Sequence, residues 1–233
     1  MVCMRVLLIC IGIFCSVFAI GQEQALWVFE QEFVKFGKKD VYEKMKKERL
    51  REEFGNFSVY AAQEADAMQY IYLVPVGDYA GLSDLMKKRT ELEENLSAEQ
   101  KLPFVSTLNF TITSLQRFLP ACSYVPRGKE SLSAFRHLYF YLFGIIPGNE
   151  AVFEAQLHRI AEEQGDSNGV CMRSWKILIG GDAPKYLIAI FGSNEKQVRK
   201  DAEELELIPP PLKNLLRSQK QGSAILRKDL SGA

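Results

Sequence analysis

Two carboxylates on one apolar segment have the clearest potential for chemistry. Glu30 and Glu32 lie in the predicted strand Ala25–Val34, and they share one face because side chains alternate along a strand with period two. A pair of carboxyl groups can divide acid and base roles in catalysis. Alternating charges on an edge strand or a half-exposed strand give the same pattern, so the pair alone predicts no reaction.

The chain has two histidines, and neither belongs to a recognisable site. His158 has Glu154 and Glu162 four residues to either side, a pattern typical of a surface helix position. His137 opens a predicted strand beside Arg136. Neither residue lies in a cluster with the spacing of metal ligands. The sequence therefore predicts neither a metal site nor a cofactor.

Two cysteines, Cys122 and Cys171, remain once the N-terminal segment with Cys3, Cys10 and Cys15 is set aside. An exported chain of this size does not need a disulfide framework to fold. One bridge between the two is possible, but sequence does not reveal whether its geometry is met. Two free, semi-buried thiols are the alternative that we favour.

The N-terminus has the pattern of a secretory signal. Arg5 is followed by Val6–Ile20, an uncharged apolar run that is shorter than the roughly 20 residues of a membrane-spanning helix. Ala19 and Gly21 supply small residues at the −3 and −1 positions before Gln22. We predict a signal peptide over residues 1–21 and an exported protein, periplasmic or extracellular, without stable membrane insertion after cleavage.

Two other interpretations of this segment stay open. The apolar run could remain as an uncleaved N-terminal anchor. Cys15 could be a lipidation site, although the bulky Phe14 stands where a lipoprotein signal has a small residue.

The overall composition is that of an ordinary globular protein. The 233 residues are 47% hydrophobic and 25% charged, and 29 basic residues balance 29 acidic ones. A nucleic-acid-binding domain usually carries a basic excess. The neutral balance therefore predicts no nucleic-acid partner.

Periodicity predicts the order strand, helix, strand, strand, helix in the first half of the chain. The segments are Ala25–Val34, a helix from Asp40 to the residue before Gly55, Phe57–Gln63, Met68–Val76 and a helix from Tyr79 to about Leu96.

Residues 97–126 fit two patterns. Phe104, Leu108, Ile112, Leu115 and Leu119 recur at helical spacing after Pro103, which could stand in a first helical turn. Leu108, Phe110 and Ile112 also alternate as they would in a strand. We favour the helix.

The second half repeats the same order. Its segments are a strand at Arg136–Ile146, a helix at Glu150–Gln164, strands at Val170–Ile179 and Pro184–Phe191, and a helix ending near Leu205. A short helix at Leu212–Arg217 and a polar tail at Gln219–Ala233 follow. Residues 22–126 are predicted to form one unit with a helical extension, and residues 127–233 a second unit with a C-terminal extension.

Two weak internal matches support a repeat. Gly37–Glu43 matches Gly148–Glu154 at an offset of 111 residues, and Asp66–Ile71 matches Asp182–Leu187 at an offset of 116. Both matches occur in the same order within the same pattern of elements. The chain is therefore predicted to use one strand–helix unit twice.

Two such tandem units, with the strand–turn–helix junction Ile146-Pro147-Gly148, resemble the dimeric α/β-barrel superfamily. Its units have a ferredoxin-like fold, and its members include antibiotic-biosynthesis-type and haem-degrading monooxygenases. The resemblance covers about Ala25 to Leu205. It implies an α+β fold in which two ferredoxin-like β-α-β-β-α units form a pseudo-dimeric α/β barrel within one chain, so a monomer is expected. The haem-degrading members use a histidine ligand, a role that neither histidine here can be given.

A strand-parity argument selects candidate ligand contacts. Glu30 and Tyr141 are equivalent at the 111-residue offset, so both are predicted to face the space that the two sheets share. Arg173 and Trp175 share a strand face, where the arginine needs a carboxylate or water as partner, and Glu30 could be that carboxylate. The predicted ligand-binding residues are Glu30, Tyr60, Tyr72, Tyr141, Arg173 and Trp175. A packed core with one structural ion pair is the alternative explanation.

An aromatic lining with a few charges suits a small organic ligand. We therefore predict a non-catalytic module that binds a small ligand or a partner. A cofactor-independent monooxygenase of the antibiotic-biosynthesis type is the alternative, and the sequence leaves open whether the protein is an enzyme.

Overall fold

The first half of the chain forms one α+β unit in the computed structural model, which describes residues 25–64, 68–167, 170–180 and 184–232. Its elements are β1 (Leu26–Val34), α1 (Lys39–Phe54), β2 (Tyr60–Glu64), β3 (Gln69–Gly77), α2 (Tyr79–Asn95), α3 (Ala98–Val105) and β4 (Leu108–Phe118). The strands pair antiparallel in the order β4-β1-β3-β2. This is the strand order of a ferredoxin-like sheet.

The second half builds the same arrangement. Its elements are β5 (His137–Ile145), α4 (Glu150–Ser167), β6 (Cys171–Ile179), β7 (Lys185–Gly192), α5 (Glu195–Glu204) and β8 (Leu216–Leu226). Short 3-10 helices lie at Pro120–Cys122, Leu132–Ala134, Pro210–Leu215 and Lys228–Leu230. The strand order is β8-β5-β7-β6.

The two sheets join along both edges into one closed eight-stranded barrel. Ala62–Glu64 of β2 pair with β8, and Leu115–Phe118 of β4 pair with β6. The barrel closes within a single chain, so no strand of a second subunit is needed. The prediction of two ferredoxin-like units in a pseudo-dimeric α/β barrel is confirmed.

The predicted repeat is confirmed at the level of elements. β5 begins at residue 137 and β1 at residue 26, which reproduces the offset of 111. α4 and α1 begin at residues 150 and 39, again 111 apart, and β7 and β3 begin 116 apart at residues 185 and 69. The second unit is therefore five residues longer than the first (116 − 111) between its first helix and its third strand.

The predicted helix in residues 97–126 is correct only as far as Val105, where α3 ends. The chain then becomes β4, which pairs with β1 from Leu26 to Val34. A strand forms here in place of the predicted helix because the backbone N–H and C=O groups along that edge of β1 need hydrogen-bond partners. The threonines and isoleucine of β4 also suit a strand.

The predicted polar tail is wrong as well, because residues 216–226 form β8. This strand pairs with the whole of β5, from His137 to Ile145. Much of this strand is exposed, and most of its side chains there are polar. The alternation of apolar and polar residues that predicts a strand is therefore missing. The predicted short helix at Leu212–Arg217 is replaced by the 3-10 helix at Pro210–Leu215.

Side chains on the two faces of each sheet form three apolar cores. One core lies between each sheet and its own helices, and the third fills the barrel between the two sheets. Both sheet faces are therefore covered, as expected for strands that are apolar on both sides. Cys122 and Cys171 are buried and unbridged.

The predicted signal peptide at residues 1–21, its cleavage site and turn residues 65–67 and 181–182 lie outside the described residues. None of the helices in the described ranges is both long and apolar enough to cross a bilayer.

Candidate functional site in the barrel lumen

The space between the two sheets contains a cavity of about 240 Å³. This volume would hold about eight water molecules at their liquid share of ~30 Å³ each. Residues of all eight strands line it, and most of them are apolar. The lining residues are Phe29, Gln31, Ala62, Gln69, Ile71, Leu73, Ile112, Ser114, Gln116, Leu138, Phe140, Leu142, Trp175, Ile177, Gly180, Lys185, Leu187, Ala189, Phe191 and Lys220.

Aromatic rings close the inner end of this cavity. Trp175 is 1% exposed, and its ring makes edge contacts with Phe29 at 5.4 Å and with Trp27 at 5.7 Å between centroids. Phe118 packs against Trp175 at 5.8 Å. Edge-to-face packing of this kind fixes ring positions, so the inner wall is rigid and apolar.

The other end opens to solvent beside exposed side chains. Ile112 and Lys220 are exposed lining residues at this mouth. Lys220 Nζ lies 3.8 Å from Glu64 Oε1. Nearby, Gln69 Nε2 donates a hydrogen bond to Gln31 Oε1 at 3.0 Å. A ligand would therefore pass polar groups before it reaches the apolar interior.

Two buried polar atoms of lining residues lack hydrogen-bond partners among the described residues. They are the indole Nε1 of Trp175 and the amide Oε1 of Gln116. Gln116 Nε2 donates to Ser114 Oγ at 3.1 Å, which leaves its carbonyl oxygen as the unused acceptor. Buried polar groups in proteins are nearly always hydrogen-bonded, so an ordered water or a ligand is expected to pair with each of these atoms.

A second polar cluster lies on the opposite face of the first sheet, under its helices. Lys46 of α1 is fully buried, and its Nζ lies 2.7 Å from Glu32 Oε1 and 2.9 Å from Glu53 Oε2. Glu30 Oε2 pairs with Arg89 of α2 at 2.5 Å. Carboxylate oxygens of Glu30, Glu32 and Glu53 lie within 4.8 Å of one another. The Lys46 ammonium supplies the positive charge that this group of carboxylates needs.

Burial and charge set the pKa values in this cluster. Burial raises the pKa of Glu32 to about 7, although Lys46 opposes the shift. Burial alone would also raise the pKa of Glu30, but Lys46 and Arg89 outweigh it and hold that pKa below its usual value. Burial would lower the pKa of Lys46, yet the carboxylates of Glu53 and Glu32 hold it above its ordinary value.

Tyrosine hydroxyls complete this cluster. Tyr42 donates a hydrogen bond to Glu32 Oε2, and its hydroxyl lies 2.6 Å from that of Tyr72. The Lys46 ammonium stands 4.3 Å above the Tyr72 ring. Hydrogen bonds and ion pairs among the described residues thus satisfy most polar groups of this cluster. The cluster therefore has the character of a structural core.

The six predicted ligand contacts do not converge on one cavity, which corrects the prediction. Glu30 and Tyr72 face the helices of the first unit, as the buried cluster shows. Tyr141 faces the helices of the second unit, where its hydroxyl donates to the Ala202 carbonyl at 3.2 Å. Glu30 and Tyr141 are equivalent as predicted. The error lies in the face, because the residues on the other side of each strand form the lumen.

The other three predicted residues lie on the lumen side. Tyr60 stacks on Trp27 at 6.3 Å, and Trp175 lines the cavity. Arg173 lies at the closed end and donates to the backbone carbonyl of Glu130. The predicted pair between Arg173 and Glu30 is wrong, because the two residues lie on opposite faces of the barrel wall.

Sequence signals for the correct faces were present. Lys46 falls four residues after Tyr42 and seven before Glu53 on α1, and this spacing places all three on the buried stripe of a helix. A lysine on that stripe indicates that carboxylates face the helix. No comparable signal marks Gln116, because its strand was predicted as a helix.

Haem-degrading members of the superfamily use a histidine to bind haem, so the positions of the two histidines bear on that role. Neither one lines the lumen cavity. His158 is exposed on α4, where Nδ1 lies 2.7 Å from the Ala121 carbonyl and Nε2 lies 3.4 Å from Glu162 Oε1. The histidines therefore give no support for a haem in the lumen cavity.

Solved structures share this fold across most of their length. An anthrone oxidase-like protein matches with a TM-score of 0.61 and 11% identity over 89% of this chain and 93% of its own. A proposed monooxygenase from Fusobacterium nucleatum matches at 0.60 with 10% identity, covering 88% and 93%. A chlorite dismutase from Candidatus Nitrospira defluvii matches at 0.53 with 8% identity, covering 88% and 92%.

These likenesses define the class of structure: the chain has the dimeric α/β-barrel fold, with both halves of the barrel in one polypeptide. At such low identity they establish the fold alone. No protein-family profile and no curated protein matches the sequence.

Proposed function

We propose that the barrel lumen binds a small, largely apolar organic ligand and that this binding is the function of the protein. The supporting observation is the 240 Å³ cavity between the sheets, with a rigid aromatic inner end and an opening to solvent. Ligand sites are typically concave and apolar with a few polar groups. At about 240 Å³ the cavity is smaller than the ~300–1,000 Å³ of typical ligand pockets, so its ligand has about the size of one ring.

Binding without catalysis is the better-supported form of this function. Among the described lining residues there is no histidine, aspartate, glutamate, cysteine or tyrosine. Of the side-chain types used in general acid–base catalysis, the described lining contains only the lysines Lys185 and Lys220. We therefore propose that the lumen contributes mainly shape and burial.

Binding of p-xylene tests this proposal, because this hydrocarbon of one ring fits the size and polarity of the cavity. The wild-type protein should bind it saturably, as measured by isothermal titration calorimetry. Ala189→Leu should weaken binding at least tenfold, because the added side chain fills a cavity lined by Ala189. Ala151→Leu adds the same volume on an exposed helix face and should leave binding unchanged. Equal binding by all three proteins would contradict a lumen site.

A cofactor-independent monooxygenase is the second candidate. It is supported by the fold shared with the proposed monooxygenases from Fusobacterium nucleatum and Lactobacillus acidophilus. Oxygen consumption in the presence of a bound phenol, abolished by Ala189→Leu, would favour this candidate. Release of the phenol unchanged would favour binding alone.

We propose further that the protein is exported. The support is the uncharged run Val6–Ile20 followed by small residues before Gln22. Mass spectrometry of the protein in its native host should find an N-terminus near Gln22. A stable product that still begins at Met1 would contradict this proposal.

A further inference from the structure

We infer that the lumen selects a ligand with a single hydroxyl group on an apolar ring, a small phenol or cyclic alcohol, held by Trp175 and Gln116. This inference rests on the proposed function and specifies its ligand class. It uses the two buried polar atoms of the cavity lining that lack partners among the described residues, Trp175 Nε1 and Gln116 Oε1. One is a hydrogen-bond donor and the other is an acceptor.

Strand register places these two side chains next to each other. Gln116 of β4 is paired with Ile177 of β6, and Phe118 is paired with Trp175. Gln116 and Trp175 are therefore diagonal neighbours on the same face of adjacent strands. Such neighbours lie about 7–8 Å apart at their backbones, within reach of long side chains. Both residues line the cavity, and the register brings their side chains within reach of one another and of a single small ligand.

A hydroxyl group is the smallest functional group that matches this pair. Its oxygen can accept from the indole N–H while its proton is donated to the amide carbonyl. A ketone would satisfy only the tryptophan, and an ammonium group only the glutamine. A carboxylate would place its charge against the Gln116 oxygen in a buried apolar site.

The rest of the lining limits the ligand to one such group. Gln31 and Gln69 are hydrogen-bonded to each other toward the mouth, and Ser114 accepts from Gln116. Apart from Lys185 and Lys220, the remaining lining side chains are aromatic or aliphatic. A second buried hydroxyl on the ligand would therefore lose its bonds to water without replacement, which disfavours polyhydroxylated compounds.

The test compares p-cresol with p-xylene, which have the same number of non-hydrogen atoms and differ by one hydroxyl in place of a methyl. Sites that hydrogen-bond a ligand hydroxyl discriminate strongly against analogues lacking it. By isothermal titration calorimetry, wild type should bind p-cresol at least tenfold more tightly than p-xylene.

Two substitutions assign that preference to the proposed residues. Trp175→Phe removes the donor, and Gln116→Met removes the acceptor with little change in size. Each should abolish most of the preference for p-cresol, measured within the same variant as the ratio of its affinities for p-cresol and p-xylene. Trp27→Phe serves as the matched control, because Trp27 does not line the cavity, and it should retain the preference. If Trp175→Phe fails to fold, Gln116→Met alone decides.

The possible outcomes separate the two proposals. Equal affinity of wild type for both compounds overturns the hydroxyl inference and leaves lumen binding intact. A preference that survives in both substituted proteins also overturns it, because the hydroxyl then binds elsewhere. If neither compound binds, the proposed function fails and the inference fails with it.

Discussion

Lys46 illustrates how a single residue organises the first unit. The ammonium is fully buried among Glu30, Glu32 and Glu53, and it also stands over the Tyr72 ring. Isolated charges are unstable in a protein interior, so the lysine and the carboxylates depend on each other. The cluster therefore stabilises the packing of α1 on the sheet only while all its members are present.

Replacing Lys46 with methionine should destabilise the protein by roughly 3–5 kcal/mol, because buried carboxylates would lose their cation. Urea unfolding followed by circular dichroism measures the change. Lys47→Met is the matched control, since Lys47 is half-exposed and pairs with Asp229 at the surface. That substitution should cost less than about 1 kcal/mol. Similar losses in both proteins would contradict the buried-cluster account.

Glu32 should make stability depend on pH near neutrality. Its folded-state pKa is raised by burial to about 7 from the model-compound value 4.5. The folded state therefore holds this proton more tightly than the unfolded state, and the contribution to stability is lost as pH rises from about 4.5 through about 7.

Comparison with Glu32→Gln isolates this contribution. Between pH 5 and pH 8, wild type should lose stability relative to the variant, by up to about 3 kcal/mol. The lowered pKa values of Glu43 and Asp229 act in the opposite direction, but they are common to both proteins and cancel in the difference. Chemical denaturation across this range makes the measurement. A constant difference would show that Glu32 titrates normally.

At the scale of elements, much of the fold was predictable because local patterns and the repeat agreed. The strands β1, β3 and β5 and the helices α1 and α4 follow clear periodicity. β4 and β8 were missed because each is exposed over much of its length, so neither carries a full apolar alternation. Their existence follows only from the need to pair β1 and β5.

The candidate site was less predictable than the fold. Side-chain alternation fixed which residues of β1 share a face, but it could not show which face meets the other sheet. That assignment depends on long-range contacts such as those of Lys46 and Arg89 with Glu30. Trp175 was predicted from its position on one face of a strand. Gln116 could be predicted only if residues 108–118 were recognised as a strand.

The junction between β3 and α2 has a close backbone contact that leads to a prediction. A Cβ atom on Gly81 would lie 2.0 Å from the Val76 carbonyl oxygen. Gly81→Ala should therefore destabilise the protein by about 1–3 kcal/mol through steric strain, although alanine favours helix formation. Ser83→Ala, on the exposed face of the same helix, should be neutral or slightly stabilising. Thermal unfolding of both proteins distinguishes the effects.

At the scale of the whole molecule, one chain supplies both sheets of the barrel. We therefore propose that the protein is a monomer. Light scattering coupled to size-exclusion chromatography should report the mass of a single chain over a wide range of concentrations. A stable dimer at micromolar concentration would show that an outer surface also associates.

The central claim is that the lumen between the two sheets is the ligand site. Crystals soaked with 4-bromotoluene test it most directly, because the bromine is located by its anomalous scattering. The account predicts one strong peak inside the barrel, within van der Waals contact of Trp175, and no such peak in Ala189→Leu crystals. Bromine bound only outside the barrel, or an empty lumen in crystals whose solvent is saturated with the compound, would contradict it.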